Sequence, residues 1–336
     1  MKSSPSNTRI RLRLCRNRRL IWLISGTCIF LSALGLILCI LNPSIKAPLR
    51  PGLDFTGGTQ IQLERNCDNE CGLINSKLLE DSIKSTILFS EEDNVTTDLS
   101  SARVQILDSG KSVVLRLPFI SATQSNQIIE KIKPLIGQIQ GGSESIETIG
   151  PSLGGQLLRS SLISLLVAFS GIALYITFRY DRLYAFLALI ALGHDVLIVC
   201  GIFAWLGIAI NLEVESLFAV ALLTIAGYSV NDTVVVFDRI RERSRYDSSL
   251  SLAEQIDRAV SATLTRTLYT SGTTLLPLIA LILFGGSTLY WFAVALSLGV
   301  LVGSWSSIAL APSLLSLRET AAKGPETLDD SLSVNE

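Results

Sequence analysis

The chain has 336 residues, of which 49% are hydrophobic and 17% are charged, and its formal net charge is −1. The mean hydropathy is +0.47, and the apolar residues stand in long blocks instead of the stripes of amphipathic helices. This composition excludes an ordinary soluble protein. The sequence has no G-x-x-x-x-G-K-[ST] loop, so we do not expect ATP hydrolysis in the P-loop manner. We also expect that the chain is not an enzyme.

Six apolar runs are long enough to cross a bilayer. A hydrocarbon core about 30 Å thick requires roughly 20 residues of α-helix. The predicted spanning helices are 20–41, 157–178, 183–206, 217–237, 267–284 and 290–315. The first run is too long for a signal peptide and no small-residue cleavage site follows it, so we interpret it as a retained helix.

The distribution of arginine and lysine predicts the orientation. Residues 1–19 carry seven basic residues and no acidic one, and segment 238–266 is rich in arginine, whereas the short connections 211–215 and 285–289 have no basic residue. By the positive-inside rule, the basic N-terminus, the loop 238–266 and the tail 316–336 are cytoplasmic. We therefore expect a multi-pass protein of the bacterial inner (plasma) membrane with both termini in the cytoplasm.

This orientation places residues 42–152 outside the cytoplasm, and their pattern is that of an α+β domain. Alternating residues predict strands, apolar residues at helical spacing predict helices, and Ser121 with Gln124 forms a capping box. The elements are a strand at 60–64, a helix carrying Leu79, Ile83 and Ile87, a hairpin turning at 108–110, a helix after Ser121, and a strand at 145–149. The order β-α-β-β-α-β is typical of a ferredoxin-like sandwich.

Two of the six cysteines, Cys67 and Cys71, lie in a polar loop of this domain. They form either a disulfide in an oxidising compartment or two free thiols, and the pattern does not decide between them. With one histidine in the chain, His194, we expect no histidine metal site, and we expect no cofactor.

Ionisable residues inside the apolar runs are the candidate functional residues, because a charge at the bilayer centre costs roughly 2.5–3.5 kcal/mol. They are His194 and Asp195 in the third run, Asp232 in the fourth, and Arg266 at the start of a polar fifth run. Less specific interpretations exist for each. Asp232 is near enough to the membrane edge to be an interfacial cap, Arg266 can be a positive-inside anchor, and His194 with Asp195 can be a structural polar patch. Together they suggest a proton-responsive site.

Four motifs occur in one order along the chain: GLDFTGGT at 52–59, HDV at 194–196, IAGYSVNDTVVVFDRIRER at 225–243 and RTLYTSGTT at 266–274. In these motifs the sequence resembles the SecF branch of the SecD/SecF family, which belongs to the resistance-nodulation-division superfamily. The resemblance runs from about residue 20 to 315. It implies six spanning helices with a ferredoxin-like domain after the first, as the apolar runs and the domain pattern also predict.

The resemblance also implies function. Members of the family pair with SecD beside the SecYEG protein-conducting channel and use the proton gradient to complete preprotein export. Asp232 and Arg266 match positions in the family's proton path, where the arginine can set the protonation of the carboxylate, and Asp195 matches a further acidic position.

The motif that contains Asp54, Gly57 and Gly58 matches the signature before the exported domain. Read without the family, it is a turn that delivers the chain from the membrane into the first strand. The implied partners are a SecD-like subunit, SecYEG, unfolded preproteins and the lipid bilayer, with no nucleic acid.

Two other functions fit the pattern less well. A proton-driven exporter of small molecules or lipids in the same superfamily normally carries a second helical core in one chain, and 336 residues supply half of such a unit. An intramembrane aspartyl protease also places two acids on facing helices, but the sequence around Asp232 is not its G-x-G-D signature.

Overall fold

The computed structural model describes residues 13–67, 71–72, 74–85, 88–89, 96–107, 110–142, 144–246 and 250–317. The chain divides into two compact units, Pro51–Leu162 and the remainder, Met1–Arg50 with Ile163–Glu336. The larger unit contains the helices α1 (Arg18–Leu41), α6 (Arg182–Ala209), α7 (Ser216–Tyr246), α8 (Leu252–Phe284), α9 (Gly286–Trp305) and α10 (Ala311–Leu315), with a π-helical segment (Ser306–Leu310) between α9 and α10. Helix α5 (Pro151–Arg179) begins in the smaller unit and continues into the larger one.

Among the described residues, six helical stretches are long and apolar enough to cross a membrane: α1, α5, α6, α7, α8 and the continuous run Leu289–Leu315. The predicted fold class, a multi-pass helical membrane protein with six spanning helices, is therefore confirmed. Each predicted apolar run lies inside one of these stretches. The helices extend past the apolar runs, because a helix continues into water wherever its polar groups remain paired.

The segment 238–266, which we predicted as a loop, is mostly helical. Helix α7 continues to Tyr246 and α8 begins at Leu252. Charged residues at helical spacing support the extension, as in the ion pair between Arg239 and Glu242. The Ser251 side chain caps α8 by accepting a hydrogen bond from the backbone N–H of Glu254. The end of an apolar run marks where a helix leaves the membrane, and the helix itself continues.

Helix α1 packs against α6 through close backbone contact. A Cβ built on Gly201 of α6 would overlap Ser32 of α1, so only glycine fits there. The indole Nε1 of Trp205 donates to the Leu31 carbonyl at 2.9 Å, and the Cys39 thiol donates to the Ala204 carbonyl at 3.3 Å. Small residues and polar side chains are the usual means of joining helices in lipid, where burial of apolar surface gives no net drive.

A buried ion pair joins the end of the α1 connection to the α6–α7 connection. The Nε of Arg50 lies 3.9 Å from Glu213 Oε1, and both side chains are largely buried. The Arg50 guanidinium also donates to the Gly207 carbonyl and the Asn211 side chain. The Arg50 carbonyl accepts from Val214 N–H at 2.8 Å. These contacts fix the chain immediately before the small domain begins at Pro51.

The small domain contains a four-stranded antiparallel sheet with two long helices. Its elements are a short helix α2 (Leu53–Thr56), β1 (Gly58–Glu64), α3 (Ser76–Lys84), β2 (Leu88–Phe89), β3 (Thr96–Thr97), β4 (Arg103–Leu107), β5 (Ser112–Leu117), α4 (Ala122–Ile136) and β6 (Ser145–Ile149). The sheet order is β4-β5-β1-β6, and β2 pairs with β3 in a separate two-stranded sheet. Apart from that two-residue hairpin, this is the predicted β-α-β-β-α-β sequence, with the first strand between the third and the fourth.

The core of the domain follows the predicted periodicities. Ile61 of β1 lies opposite Leu115 of β5, and both are fully buried. Leu79 and Ile83 of α3 are buried against them, and the capping box at the start of α4 is present. Ile87 and residues 108–109 of the predicted hairpin turn lie outside the described residues. Cys67 and Cys71 form a disulfide, which resolves the alternative that the sequence left open.

Candidate functional site

The side chains of His194 and Asp195 form a buried hydrogen-bonded cluster with two serines from neighbouring elements. Asp195 is 0% exposed, in the middle of α6. Its Oδ1 lies 2.8 Å from His194 Nδ1, and its Oδ2 accepts hydrogen bonds from Ser229 of α7 at 2.6 Å and Ser306 of the π-helical segment at 2.7 Å. A carboxylate in hydrocarbon requires such donors, since an unpaired buried charge is very costly.

Small residues let the three elements approach this carboxylate. Gly303 of α9 has no side chain where α9 passes α6 and α7, and a Cβ there would lie 3.5 Å from Asp195 Oδ2 and 3.3 Å from Ser229 Cβ. The π-helical segment follows directly, and it begins at Ser306. A π turn inserts one extra residue into a helix and is frequent at functional sites. The local sequence thus places a hydroxyl against Asp195.

Asp232 lies three residues after Ser229 on the buried side of α7. Its side chain is 4% exposed, and its Oδ2 has no hydrogen-bond partner among the described residues. The adjacent Thr233 is also buried, and its hydroxyl likewise has no partner in the part of the chain that the structure describes. Asp232 is therefore not an exposed interfacial cap in this structure.

Arg266 is exposed on α8, within electrostatic range of Asp232. The polar start of this helix could be buried against neighbouring helices, as polar residues in membrane helices usually are. Only part of it is: Thr267 and Ser271 are buried, whereas Thr273 is exposed. The exposed hydroxyl is satisfied within the helix, because Thr273 donates to the Tyr269 carbonyl at 2.9 Å. Threonine can therefore face outward without leaving an unpaired donor.

A chain of hydroxyls joins α7, α8 and α9 beside these residues. The Tyr228 hydroxyl donates to Ser271 Oγ at 3.1 Å, and Ser271 Oγ lies 2.6 Å from Ser304 Oγ. Ser304 also donates to the Val300 carbonyl. Hydroxyls both donate and accept, so such a chain can reorient without losing its hydrogen bonds.

The structure thus brings together two of the four predicted membrane residues, His194 and Asp195, in one cluster. Asp232 lies one helical turn from that cluster through Ser229, and Arg266 lies apart on an exposed surface. Chemically, the arrangement can hold, accept and release protons. No group of three or more His, Cys, Asp or Glu that could bind a metal ion is found among the described residues.

The glycine signature has a structural role in the small domain. Gly57 has φ +71° and Gly58 has φ +139°, both unfavourable for other residues. A Cβ on Gly57 would lie 2.8 Å from the Pro151 Cα, where α5 begins. Asp54 sits in the short helix α2, which opens the turn into β1. The signature therefore forms a tight turn into the first strand, as its pattern predicts.

Sequence reasoning missed Ser304 and Ser306. The available signal was the run Ser304–Ser307, which places three serines in an otherwise apolar span. We identified acids and bases within apolar runs and did not treat serines in the same way, because isolated serines are common in membrane helices. The structure shows that Ser306 contacts Asp195, which lies 111 residues earlier in the chain.

Two family models match the sequence. "Protein export membrane protein SecD/SecF, C-terminal" matches residues 127–320, more than half of the chain, and "SecD/SecF GG Motif" matches residues 45–68. The second match covers the glycine signature, and the first covers His194, Asp195, Asp232 and Arg266.

Several relatives are similar to most of this chain. A protein translocase subunit SecF from Prochlorococcus marinus is 56% identical over 95% of this chain and 99% of its own. A SecF from Vibrio alginolyticus is 39% identical over 78% of each chain. A SecDF from Thermus thermophilus is 33% identical, over 82% of this chain but 35% of its own.

A solved structure has the same fold. The crystal structure of SecDF from Thermus thermophilus, described as a translocon-associated membrane protein, is similar with a TM-score of 0.75 and 29% identity. The match covers 95% of this chain and 40% of that one, so the chain spans less than half of the fused protein. With the family matches and these relatives, the six spanning helices and the cluster of buried polar residues identify this chain as a member of the SecD/SecF family, a Sec protein translocase accessory subunit of the SecF type.

Proposed function

We propose that this chain pairs with a SecD-like subunit at the SecYEG channel and uses the proton motive force to complete preprotein export. Burial of Asp195 and Asp232 inside spanning helices is the observation that carries the proton part of the proposal. A carboxylate there is either paired or neutral. The paired carboxylate changes state when it gains a proton, and the neutral acid changes state when it loses one.

The pairing with a SecD-like subunit is supported by length and by surface. The chain corresponds to 40% of the SecDF chain of known structure, so in that fused protein a further part accompanies the SecF-like part. Arg266 and Tyr269 are exposed on α8, on the same side of the helix as Thr273. This surface carries a cation and hydroxyls at the edge of the apolar run 267–284, and a protein partner can pair with such groups.

The energy of one proton is sufficient for such a role. Moving one elementary charge through 100 mV is worth about 2.3 kcal/mol. Coupling between two conformational states typically takes about 1–3 kcal/mol. One proton per cycle can therefore bias a two-state arrangement of the membrane helices, with the small domain as the part that handles the preprotein.

The proposed orientation places residues 42–152, which include most of the small domain, outside the cytoplasm and both termini inside. Among the described residues near the start of α1, Arg13, Arg16, Arg18 and Arg19 support this orientation by the positive-inside rule. The disulfide between Cys67 and Cys71 supports the same orientation, because disulfides persist in oxidising compartments. The membrane is then the bacterial inner membrane.

The test is Asp232→Asn, which keeps the size and polarity of the side chain but cannot exchange a proton. Preprotein release from vesicles that contain the complete translocase is measured with and without a proton gradient. We expect the stimulation by the gradient to be lost, while ATP-driven translocation remains. The matched control is Asp181→Asn, an exposed carboxylate at the α5–α6 connection, which should leave the stimulation unchanged. Full gradient stimulation in Asp232→Asn at normal protein level contradicts the proton assignment of Asp232.

A further inference from the structure

The hydroxyl of Ser306 has two hydrogen-bond acceptors within reach and one proton to donate. Its Oγ lies 2.7 Å from Asp195 Oδ2 and 3.1 Å from the Gly303 carbonyl oxygen. Ser306 and Asp195 are both fully buried. A hydroxyl carries one O–H donor and two acceptor lone pairs. The state of Asp195 therefore determines which acceptor receives the Ser306 proton.

When Asp195 is ionised, its carboxylate accepts every available hydrogen bond. Oδ1 accepts from the Nδ1–H of His194, and Oδ2 accepts from the hydroxyls of Ser229 and Ser306. Hydrogen bonds to an ionised group are shorter and stronger than neutral ones, and distances of 2.6 and 2.7 Å fit this state.

When one proton is added to Oδ2, the same atoms can form a second complete set of hydrogen bonds. The new Asp195 O–H donates to Ser306 Oγ, and the Ser306 hydroxyl hydrogen rotates toward the Gly303 carbonyl. One proton is taken up, none is released and no heavy atom has to move. Ser229 continues to donate to the carboxyl group. In neither state is a buried donor at Asp195 Oδ2 left without an acceptor. An unpaired buried donor would cost about 1–3 kcal/mol.

Few other ionisable groups face this position. On the elements that pack against α6, the ionisable residues of α7 within its apolar run are Tyr228 and Asp232. Helix α9, the π-helical segment and α10 contain no acidic, basic or cysteine side chain, and their only titratable group is Tyr290 near the start of α9. Within its apolar stretch α1 contributes the thiols of Cys28 and Cys39. His194 is therefore the group most directly coupled to Asp195.

We propose that Ser306 is a positioning residue that lets Asp195 both hold and release a proton inside the bilayer, by donating either to the carboxylate or to the Gly303 carbonyl. This inference rests on the proposed proton-driven function and deepens it. It identifies the residue that makes both states of Asp195 acceptable, and it connects those states to the backbone at the junction between α9 and the π-helical segment.

The chain offers a direct probe, because His194 is its single histidine. Histidine labelled with 15N in the full-length chain, reconstituted in lipid nanodiscs, gives the signals of one imidazole ring, so no assignment to a residue is needed. Its Nδ1 contacts Asp195, so the signal reports the protonation of the pair as pH varies between about 5 and 9.

Three variants are compared with the wild type: Ser306→Ala, Ser306→Thr, and the control Ser307→Ala. Ser307 is equally buried, but its hydroxyl donates to the Ser304 carbonyl of its own helix.

We expect the midpoint of the pH-dependent change to move upward by about one pH unit or more in Ser306→Ala, because the ionised carboxylate loses a charge-assisted donor. Ser306→Thr, which keeps the hydroxyl, and Ser307→Ala should stay near the wild-type midpoint. An unchanged midpoint in Ser306→Ala, an equal shift in Ser307→Ala, or a wild-type signal that does not change over this range would each overturn the inference. If the midpoint moves while gradient-stimulated export is unaltered, the inference stands and a role of Asp195 in driving export fails.

Discussion

The carboxylate of Asp195 is stabilised inside the membrane region by small, uncharged neighbours. Serine hydroxyls on α7 and the π-helical segment supply the donors, and Gly303 supplies the space. Asp232 has a different environment, since one of its oxygens has no partner among the described residues. Two acids with different environments can hold protons with different strength, and that is what a directional relay requires.

Sequence alone identified His194, Asp195, Asp232 and Arg266, because an ionisable residue in an apolar run stands out against its neighbours. It did not identify Ser306, although that hydroxyl contacts Asp195 directly. The contact depends on how the end of α9 packs beside α6, and Ser306 lies 111 residues after Asp195 in the chain. Helical periodicity within one element cannot predict a contact between two distant elements.

At the residue scale, Arg266 provides a test by charge alone. Arg266→Gln removes the cation within electrostatic range of Asp232, and Arg266→Lys retains it. We expect gradient-stimulated preprotein release to be largely lost in Arg266→Gln and to be partly retained in Arg266→Lys. The assay is vesicle export with the gradient on and off. Equal loss in both variants would show that the shape of the guanidinium matters and that charge alone is insufficient.

At the scale of elements, the apolar runs predicted the membrane helices and the periodicities predicted the small domain. They could not predict how far each helix continues into water, as α7 and α8 show. The sequence also gave no sign of the short β2–β3 hairpin, whose two-residue strands are below the length at which alternation can be recognised. The close contact between α1 and α6 could not be predicted either, because it depends on Gly201 packing against Ser32, and these residues are far apart in the sequence.

That contact leads to a prediction about helix packing, with a control in the same helix. In Gly201→Ala the added methyl group overlaps Ser32, so α1 and α6 have to separate; overpacking of this kind costs about 1–3 kcal/mol. In Gly193→Ala the methyl group meets no atom within 4 Å, and alanine favours the helix. Thermal denaturation of the purified proteins in detergent should show a lower midpoint for Gly201→Ala only. Equal midpoints would mean that α1 is not held against α6 in this way.

At the scale of the whole molecule, most of the surface of helix α5 is left uncovered by the rest of this chain. Only 6% of the apolar 18-residue stretch of α5 is buried by the described residues of this chain. Leu166, Val167 and Leu174 are all more than half exposed. Lipid tails can cover these apolar side chains, but they offer no polar group with which the exposed guanidinium of Arg266 on α8 can pair. The polar face of α8 is therefore the surface where we expect the partner.

A crosslinking experiment tests this expectation. A photoreactive amino acid is placed at Tyr269, which is exposed on α8 close to Arg266, and in a control at Phe178, which is exposed at the end of α5. The labelled chain is expressed with the SecD-like protein of the same organism and irradiated in membranes. We expect the Tyr269 position to give a crosslink to the SecD-like chain, and to give it more strongly than Phe178. The absence of any crosslink from Tyr269 in membranes that retain translocase activity would contradict this assignment of the partner surface.

The orientation of the whole chain can be tested with two single thiols. Ser101 is exposed in the small domain, and Ser244 is exposed near the end of α7. If the small domain is outside the cytoplasm, Ser101→Cys should react with a membrane-impermeant maleimide added to spheroplasts, and Ser244→Cys should react only after the membrane is permeabilised.

The wild-type chain is the control for background labelling. Its Cys15 is partly buried, and burial together with the neighbouring Asp257 raises the pKa of this thiol to about 12, so it stays protonated and unreactive near neutral pH. Labelling of Ser244→Cys in intact spheroplasts, with Ser101→Cys protected, would reverse the proposed orientation. The proposed directions of proton flow and of preprotein movement would then be reversed as well, because both are defined relative to the side of the membrane on which the small domain lies.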